Sequence, residues 1–289
     1  MWWYILFFFP AVILLWLAYE WLEHTWVQYG TTKIINQTLP KNKQLKMCLI
    51  SDLHNNKKNL SKLLKQIRQF SPEIILLAGD LIDKHKLENR RAEDFLFALS
   101  KLNCPVFYSV GNHEGSMMEK HPDAWNAYMH RIGDTVQFLD NQSICIKTKS
   151  LHLAISGLSL PKIYYKKGCL YESSAELPDF SIPEHDFHIL LAHNPEYVKM
   201  YQKYHADLIV SGHLHGGLLR LPFIGGIVSP RLRLPGKDAG LVPLENGSHM
   251  FISRGLGSHT IPLRFFNRAE VNFLILEGSS VKKANDTDR

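Results

Sequence analysis

Acidic, histidine and asparagine side chains follow five short apolar runs of this sequence, each just beyond the point where the run ends. The runs cover residues 45–50, 74–78, 106–110, 188–192 and 208–210, and the side chains that follow them are Asp52 and His54, Asp80, Asn112 and His113, His193, and His213 and His215. A single histidine after a strand is usually only a hydrogen-bonded surface group, and a D-x-H or H-x-H pair is common by chance. Five such blocks in series favour one shared site. Because mixed carboxylate and imidazole ligands suit Mn, Fe, Zn and similar divalent ions, the blocks predict a metal centre.

The elements that must position these side chains are short strands alternating with amphipathic helices. Helical patterns at 60–70, 91–102 and 195–204 separate the apolar runs, which predicts strands buried on both faces. Later stretches predict a second, hairpin-rich sheet, and they cover residues 136–139, 143–146, 152–156, 250–253 and 271–276. The expected fold class is therefore α/β, a four-layer α/β/β/α sandwich preceded by an N-terminal transmembrane helix. In open α/β sheets ligands bind beyond the carboxyl ends of the strands, which is where the five blocks lie.

The transmembrane expectation comes from residues 1–19, which contain no charged side chain. As a helix this segment would rise about 27–30 Å, enough for a bilayer core, and aromatic residues crowd both of its ends. A buried core helix is rarely so uniformly apolar, and a cleaved signal peptide would begin with basic residues. These features predict an uncleaved anchor and a single-pass protein of the cell membrane, with the domain favoured on the extracytoplasmic side. The expected organisation is an anchor at 1–22, a linker at 23–44, one domain at 45–281 and a disordered tail at 282–289.

Composition narrows the function class. The chain has 289 residues, of which 45% are hydrophobic and 21% charged, with a formal net charge of +6. Its basic residues are scattered rather than gathered around the five blocks, as the groove of a nuclease would require, so we expect no nucleic-acid partner. The four cysteines (Cys48, Cys104, Cys145 and Cys169) form no C-x-x-C pair, which favours small apolar core residues over a metal or disulfide framework.

The blocks, in order, read D-x-H, G-D, G-N-H-E, H and G-H-x-H, and this series resembles the calcineurin-like metallophosphoesterase superfamily over about residues 45–277. The resemblance implies two divalent metal ions. One would be held by Asp52, His54, Asp80 and His215, and the other by Asp80, Asn112, His193 and His213. It also implies that His113 is the catalytic histidine, which contacts the phosphate and protonates the leaving oxygen. The sequence departs from the family at Glu114, where many members have aspartate.

The expected reaction is hydrolysis of a phosphodiester, phosphomonoester or pyrophosphate by a hydroxide that bridges the two metals. The partners expected are a phosphate-containing small molecule or lipid and the bilayer itself. A scaffold that retains the fold without catalysis is the alternative, but such scaffolds lose metal ligands, and every ligand block is present here.

A second resemblance follows the last block. Residues 215–226, 253–257 and 261–265 are similar to segments of the YkuE/YaeI-like branch, some of whose members cleave lipid-linked sugar nucleotides such as UDP-2,3-diacylglucosamine. Arg220, Arg254 and Arg264 lie in these segments and are candidate phosphate-binding residues, although a structural salt bridge explains any one of them equally well.

Overall fold

Strands and helices alternate along the chain in the order that a layered α/β protein requires. The computed structural model describes residues 2–165, 177–217, 219–221, 225–228, 238–257, 264 and 266–280. The strands are β1 (Gln28–Pro40), β2 (Gln44–Ile50), β3 (Ile74–Leu77), β4 (Val106–Ser109), β5 (Gln137–Leu139), β6 (Gln142–Lys147), β7 (His152–Leu158), β8 (Phe187–Ala192), β9 (Leu208–Ser211), β10 (Leu219–Leu221), β11 (Gly225–Val228), β12 (Gly240–Pro243), β13 (His249–Ile252) and β14 (Glu270–Ser280). The helices are α1 (Trp2–Thr25), α2 (Leu60–Phe70), α3 (Arg90–Ser100), α4 (Asn112–Lys120), α5 (Pro122–Ile132) and α6 (Val198–Tyr201).

Two six-stranded sheets carry the fold. The first sheet has the strand order β1-β14-β2-β3-β4-β5, and the second has the order β12-β13-β9-β8-β7-β6. Strands β2 to β5 of the first sheet are parallel, as are β7, β8, β9 and β13 of the second. The parallel arrangement places the carboxyl ends of β2, β3 and β4 along one edge of the first sheet, and those of β8 and β9 along one edge of the second.

Alternation of side chains along the strands separates three hydrophobic clusters. On β3, Ile75 and Leu77 pack against helices α2, α3 and α5. Their neighbours Ile74 and Leu76 point the opposite way and pack between the two sheets. Strand β8 divides its side chains in the same manner between the intersheet cluster and a third cluster, which lies under α6. Three clusters separate four layers, so the mixed α/β two-sheet fold has the expected α/β/β/α order.

The strands are shared between the sheets differently from the sequence-based expectation. Strands β8 and β9, predicted beside β2 to β4, lie in the second sheet, and β5 and β14, predicted in the second sheet, lie in the first. The second sheet is mainly parallel, with antiparallel pairs only at its edges, β6 with β7 and β12 with β13. Periodicity identifies a buried strand but carries no information about its partners, which explains the difference.

Residues 28–40, predicted as part of a linker at 23–44, form strand β1 instead. It pairs in parallel with β14 along most of its length. Only Ile34 and Leu39 of its side chains are buried, because β1 is the edge strand of the first sheet. Such an edge strand shows little hydrophobic alternation, so its sequence reads as a polar linker.

Helix α1 spans the region predicted as a membrane anchor. Within the part of the chain that the structure describes, no helix combines the length and the apolar character that a bilayer crossing needs. The predicted transmembrane helix is therefore unsupported, and the predicted single-pass membrane location is wrong.

Near its end, α1 contacts the loop that precedes β14. The backbone N–H of Phe266 donates to the hydroxyl of Tyr19 over 2.8 Å, and the two rings meet edge to face. The predicted tail at 282–289 lies outside the described residues.

Candidate metal centre

The side chains singled out by the sequence meet where the two sheets present their carboxyl ends. The first sheet contributes Asp52 after β2, Asp80 after β3, and Asn112 and His113 at the start of α4. The second sheet contributes His193 after β8, and His213 and His215 after β9. Three groups of possible ligands form there, and they are Asp52 with His54 and His215, Asp80 with His193 and His213, and Asp80 with His54 and His113. Within each group the ligand atoms all lie within 4.8 Å of one another.

The first group surrounds one oxygen of Asp52. Oδ1 of Asp52 lies 3.3 Å from Nε2 of His215 and 3.8 Å from Nε2 of His54, and the two imidazole nitrogens are 3.1 Å apart. Ligand atoms about 2.0–2.2 Å from a metal are about 3 Å from each other, so these separations suit neighbouring ligands of one ion. The backbone N–H of His213 donates to the Asp52 carboxylate, which fixes its orientation.

The second group surrounds Asp80. Its Oδ2 lies 3.3 Å from Nε2 of His193 and 3.8 Å from Nε2 of His54, so this one oxygen faces both groups. Its Oδ1 accepts a hydrogen bond of 2.7 Å from the backbone N–H of His113. Asp80 thus stands between the groups, in the position that a bridging ligand requires.

Two orphaned atoms test whether these residues fit a metal. Nδ1 of His193 lies 2.6 Å from the carbonyl oxygen of Ala78, and because a carbonyl only accepts, this nitrogen carries the proton. Nε2 then faces Oδ2 of Asp80 at 3.3 Å; in the neutral ring this buried atom offers a lone pair that no donor satisfies, and in the metal-free protein a second proton occupies it. Oδ1 of Asn112 is likewise buried without a partner. Lone pairs that face one another in a buried site are stabilised by a cation between them, and a divalent ion that replaces the proton would satisfy both, so the donor set fits a metal.

The electrostatics of the site point the same way. Burial alone would lower the pKa of His193, but the carboxylates of Asp80 and Asp52 outweigh it and raise the pKa to about 10. Burial would raise the pKa of Asp80, but the neighbouring His193 and His113 hold it well below its usual range. Burial, reinforced by Asp80, raises the pKa of Asp52 to about 7. The cluster therefore retains positive charge beside its buried carboxylates, and a bound metal would supply that charge instead.

His113 is oriented by a neighbouring loop. The backbone N–H of Lys84 donates to its Nδ1 over 3.2 Å, so the neutral ring carries its proton on Nε2. That nitrogen faces the site, 3.9 Å from Oδ2 of Asp80. Burial lowers the pKa of His113, so the neutral form with an Nε2–H donor is favoured. The ring meets that of His54 edge to face at a centroid distance of 4.4 Å.

Backbone strain is concentrated at the ligand positions. Five of the candidate ligands have positive φ angles, and they are Asp52 (52°), His54 (49°), Asp80 (55°), His213 (69°) and His215 (51°). A residue with a side chain in this region costs on the order of 1–3 kcal/mol and persists only when the surroundings impose it. Conformations of this kind cluster at functional sites, and these tight turns bring side chains from separate strands to a common point.

Glu114 joins the loops of the first sheet beneath the site. Its fully buried carboxylate accepts backbone hydrogen bonds from Gly111 (2.9 Å), Asp80 (2.8 Å), Leu81 (2.8 Å) and Ile82 (3.3 Å), and a fifth from the hydroxyl of Tyr108 (2.6 Å). These bonds hold the turn that presents Asp80 against the turn that presents Asn112 and His113. The departure from aspartate was the only signal at this position before the structure, and it did not indicate this number of partners.

The three arginines predicted to contact substrate have protein partners. Arg254 binds Glu270 through Nε and Nη2, both at 2.8 Å, and Arg220 contacts Asp238 at 3.1 Å. Arg264 is buried and donates to backbone carbonyls, among them those of Asn267 and Arg254. Arg220 lies in β10, and Arg254 and Arg264 lie between β13 and β14.

Sequence reasoning did not single out Tyr165 as a site residue. Its ring meets that of His213 edge to face with centroids 5.1 Å apart, and lies 6.3 Å from that of His193. The only signal was its position in a long connection between β7 and β8, residues 166–176 of which lie outside the described part of the chain.

Comparison with known proteins identifies the family to which the chain belongs. The model for calcineurin-like phosphoesterases matches residues 45–217, which include every candidate ligand. The chain belongs to the calcineurin-like phosphoesterase family, whose members are metal-dependent phosphoesterases.

Among its relatives, the metallophosphoesterase YkuE of Bacillus subtilis is 29% identical over 231 residues, which are 77% of this chain and 74% of YkuE. A metallophosphoesterase of Helicobacter pylori strain J99 is 27% identical over 81% of this chain, and the match spans only 60% of that longer protein. Among solved structures, TT1561 of Thermus thermophilus is similar with a TM-score of 0.45 at 14% identity, over 75% of this chain and 90% of that one.

Proposed function

We propose that this protein hydrolyses phosphoesters with two divalent metal ions. One ion is held by Asp52, His54, Asp80 and His215, and the other by Asp80, Asn112, His193 and His213. The observation that carries the proposal is the pair of orphaned buried atoms, His193 Nε2 and Asn112 Oδ1, beside the central Asp80 carboxylate. Divalent ions bound there would polarise phosphoryl oxygens and lower the pKa of water enough to give a nucleophile at neutral pH.

The protein's own groups orient the phosphate and handle the proton. His113 presents an Nε2–H into the site because Lys84 holds its Nδ1 as an acceptor. From there it donates a hydrogen bond to a phosphate or leaving-group oxygen and stabilises the negative charge that develops on it. Glu114 keeps His113 and Asp80 in register by holding both turns.

The substrates that we propose are phosphodiesters, phosphomonoesters or pyrophosphates, of a small molecule or a lipid. Arg220, Arg254 and Arg264 each donate to protein groups. We therefore assign these arginines a supporting role in β10 and in the segment between β13 and β14.

Hydrolysis of bis-p-nitrophenyl phosphate by the metal-loaded protein tests the proposal. We expect turnover that depends on added Mn²⁺, is abolished in Asp80→Asn, and falls by about 10²- to 10⁴-fold in His113→Ala. A matched control is His130→Ala, which removes a histidine of α5 outside the ligand groups and should leave turnover unchanged. A p-nitrophenyl monoester and a lipid-linked pyrophosphate assayed in parallel rank the substrate classes.

The same experiment separates the enzyme from a scaffold. Metal bound at two ions per chain without turnover on any of these substrates would favour the scaffold. Turnover that survives in Asp80→Asn would contradict the assigned site.

A further inference from the structure

A short 3-10 turn, Lys162–Tyr165, ends beside the metal centre with Tyr165 against its histidines. The ring of Tyr165 stands at 71° to that of His213 with the centroids 5.1 Å apart. The ring of His193 is the next nearest of the site, at 6.3 Å. Tyr165 therefore borders the second ligand group directly, on the side of the second sheet.

The turn is fixed to the loop that carries His193. The carbonyl oxygen of Tyr164 accepts hydrogen bonds from the hydroxyl of Tyr197, at 2.9 Å, and from the side-chain amide of Asn194, at 3.3 Å. Tyr164 itself is only 2% exposed and packs in the third hydrophobic cluster. Because Asn194 directly follows His193, the position of Tyr165 is coupled to that of a candidate ligand.

The turn is also fixed to the helix that carries His113. It packs against α4, and Nζ of Lys162 lies 3.2 Å from a carboxylate oxygen of Glu119 on that helix. These contacts join the turn to the loop that carries His193 and to the helix that carries His113. A side chain held in this way is preorganised for a ligand, since little entropy is lost on binding.

The hydroxyl of Tyr165 has no hydrogen-bond partner among the residues that the structure describes. A phenol is protonated at neutral pH, so this group is a hydrogen-bond donor beside the second ligand group, and no described residue accepts from it. A phosphate bound at that centre would bring the acceptor oxygens that it lacks.

We propose that Tyr165 is a substrate-contacting residue whose hydroxyl donates a hydrogen bond to a non-bridging oxygen of the bound phosphate group. This inference rests on the proposed phosphoesterase function and adds to it a donor from the turn that follows β7, beside His213. The phosphate then accepts from both His113 and Tyr165, while the ring of Tyr165 maintains the orientation of His213.

Binding of inorganic phosphate to the Mn²⁺-loaded full-length protein, measured by calorimetry, tests the inference without relying on turnover. Tyr165→Phe keeps the ring contact with His213 and removes only the hydroxyl. A hydrogen bond to a charged acceptor contributes about 1.5–3 kcal/mol, so we expect phosphate to bind about 10- to 100-fold more weakly and KM to rise in parallel. Metal content, measured by mass spectrometry, should remain that of the wild type.

Tyr164→Phe is the matched control, because it removes a hydroxyl from the adjacent residue, which packs in the third cluster. If Tyr165→Phe bound phosphate within twofold of the wild-type affinity, the inference about Tyr165 would be overturned while the proposed function would stand. An equal loss of phosphate affinity in both variants would have the same meaning. If the wild-type protein bound metal but no phosphate, the proposed function would fail and the inference with it.

Discussion

Glu114→Gln offers the most direct test of how the site is held together. The two atoms of the carboxylate divide its five hydrogen bonds, because Oε2 accepts from the backbones of Asp80 and Gly111 and Oε1 accepts from Leu81, Ile82 and Tyr108. An amide has one acceptor oxygen, and its NH₂ group cannot accept from a backbone N–H. Whichever way the amide turns, two buried backbone donors face another donor.

The expected loss of stability in Glu114→Gln follows from those two donors. Each buried N–H left without an acceptor costs about 1–3 kcal/mol, so we expect the free energy of unfolding to fall by about 2–6 kcal/mol. That is a large share of the roughly 5–15 kcal/mol typical of a folded domain. Because the bonds hold the turns that present the ligands, metal affinity should also fall, by about 10- to 100-fold.

Urea denaturation of the metal-free protein measures the first effect, and Mn²⁺ titration under native conditions measures the second. Glu88→Gln is the control, since Glu88 is an exposed residue paired with Arg90 and its substitution should change stability by no more than about 0.5 kcal/mol. A Glu114→Gln protein within about 1 kcal/mol of wild type, with unchanged Mn²⁺ affinity, would refute the view that this carboxylate organises the centre.

Three further outcomes follow from the site. The pKa of His193 is raised to about 10 in the metal-free protein, so its stabilising pair with Asp80 is fully present below about 6.5 and is lost as pH rises through 10. Because a metal must displace that proton, Mn²⁺ affinity should rise by up to about tenfold per pH unit between about pH 6.5 and 8. Calorimetry should show that about one proton is released per metal bound. An affinity that does not change with pH would contradict this. Gly255 has a φ of +74°, and the Cβ added in Gly255→Ala would lie 2.7 Å from the Cβ of Asp52. Gly247 has a similar φ of +82°, but the Cβ added in Gly247→Ala would have no atom within 4 Å. Backbone strain in both variants should lower the free energy of unfolding, measured in urea, by about 1–2 kcal/mol. Only Gly255→Ala should also reduce Mn²⁺ affinity. Equal Mn²⁺ affinities in the two variants would count against the close packing behind Asp52. Chelation of metal should lower the melting temperature, and Mn²⁺ at about 100 times its Kd should restore about 2.7 kcal/mol; an unchanged melting temperature would argue against metal binding by the folded state.

The sequence was most informative about the candidate metal ligands, because their residue types and their positions after the strands both indicated a site. Each candidate ligand follows an apolar run, and the rule that parallel strands present their carboxyl ends together was enough to predict that these side chains meet. The family resemblance then divided them into two groups that share Asp80. The structure brings the aspartate and histidine ligands together, with Asp80 between the two groups.

Other features depend on contacts that local sequence does not encode. The partners of β8 and β9 are decided by packing between whole sheets, so their place in the second sheet was missed. Strand β1 has only two buried side chains and resembles a linker. The positive φ angles at Asp52 and Asp80 occur at residues other than glycine, where sequence predicts no such turn. Tyr165 and Glu114 are ordinary residues whose roles come from neighbours distant along the chain.

The order of strands in the first sheet has a consequence for how the chain folds as it is synthesised. Strand β14 lies between β1 and β2, which are separated from each other by a turn but from β14 by more than 200 residues. Until residues 270–280 leave the ribosome, β1 has no partner and β2 presents an unpaired edge beside a hydrophobic face. At about 5–20 residues per second this exposure lasts on the order of ten seconds or more, long enough for chaperones to bind or for nascent chains to associate. Insertion of β14 then pairs β1 and β2 at once and completes the first sheet.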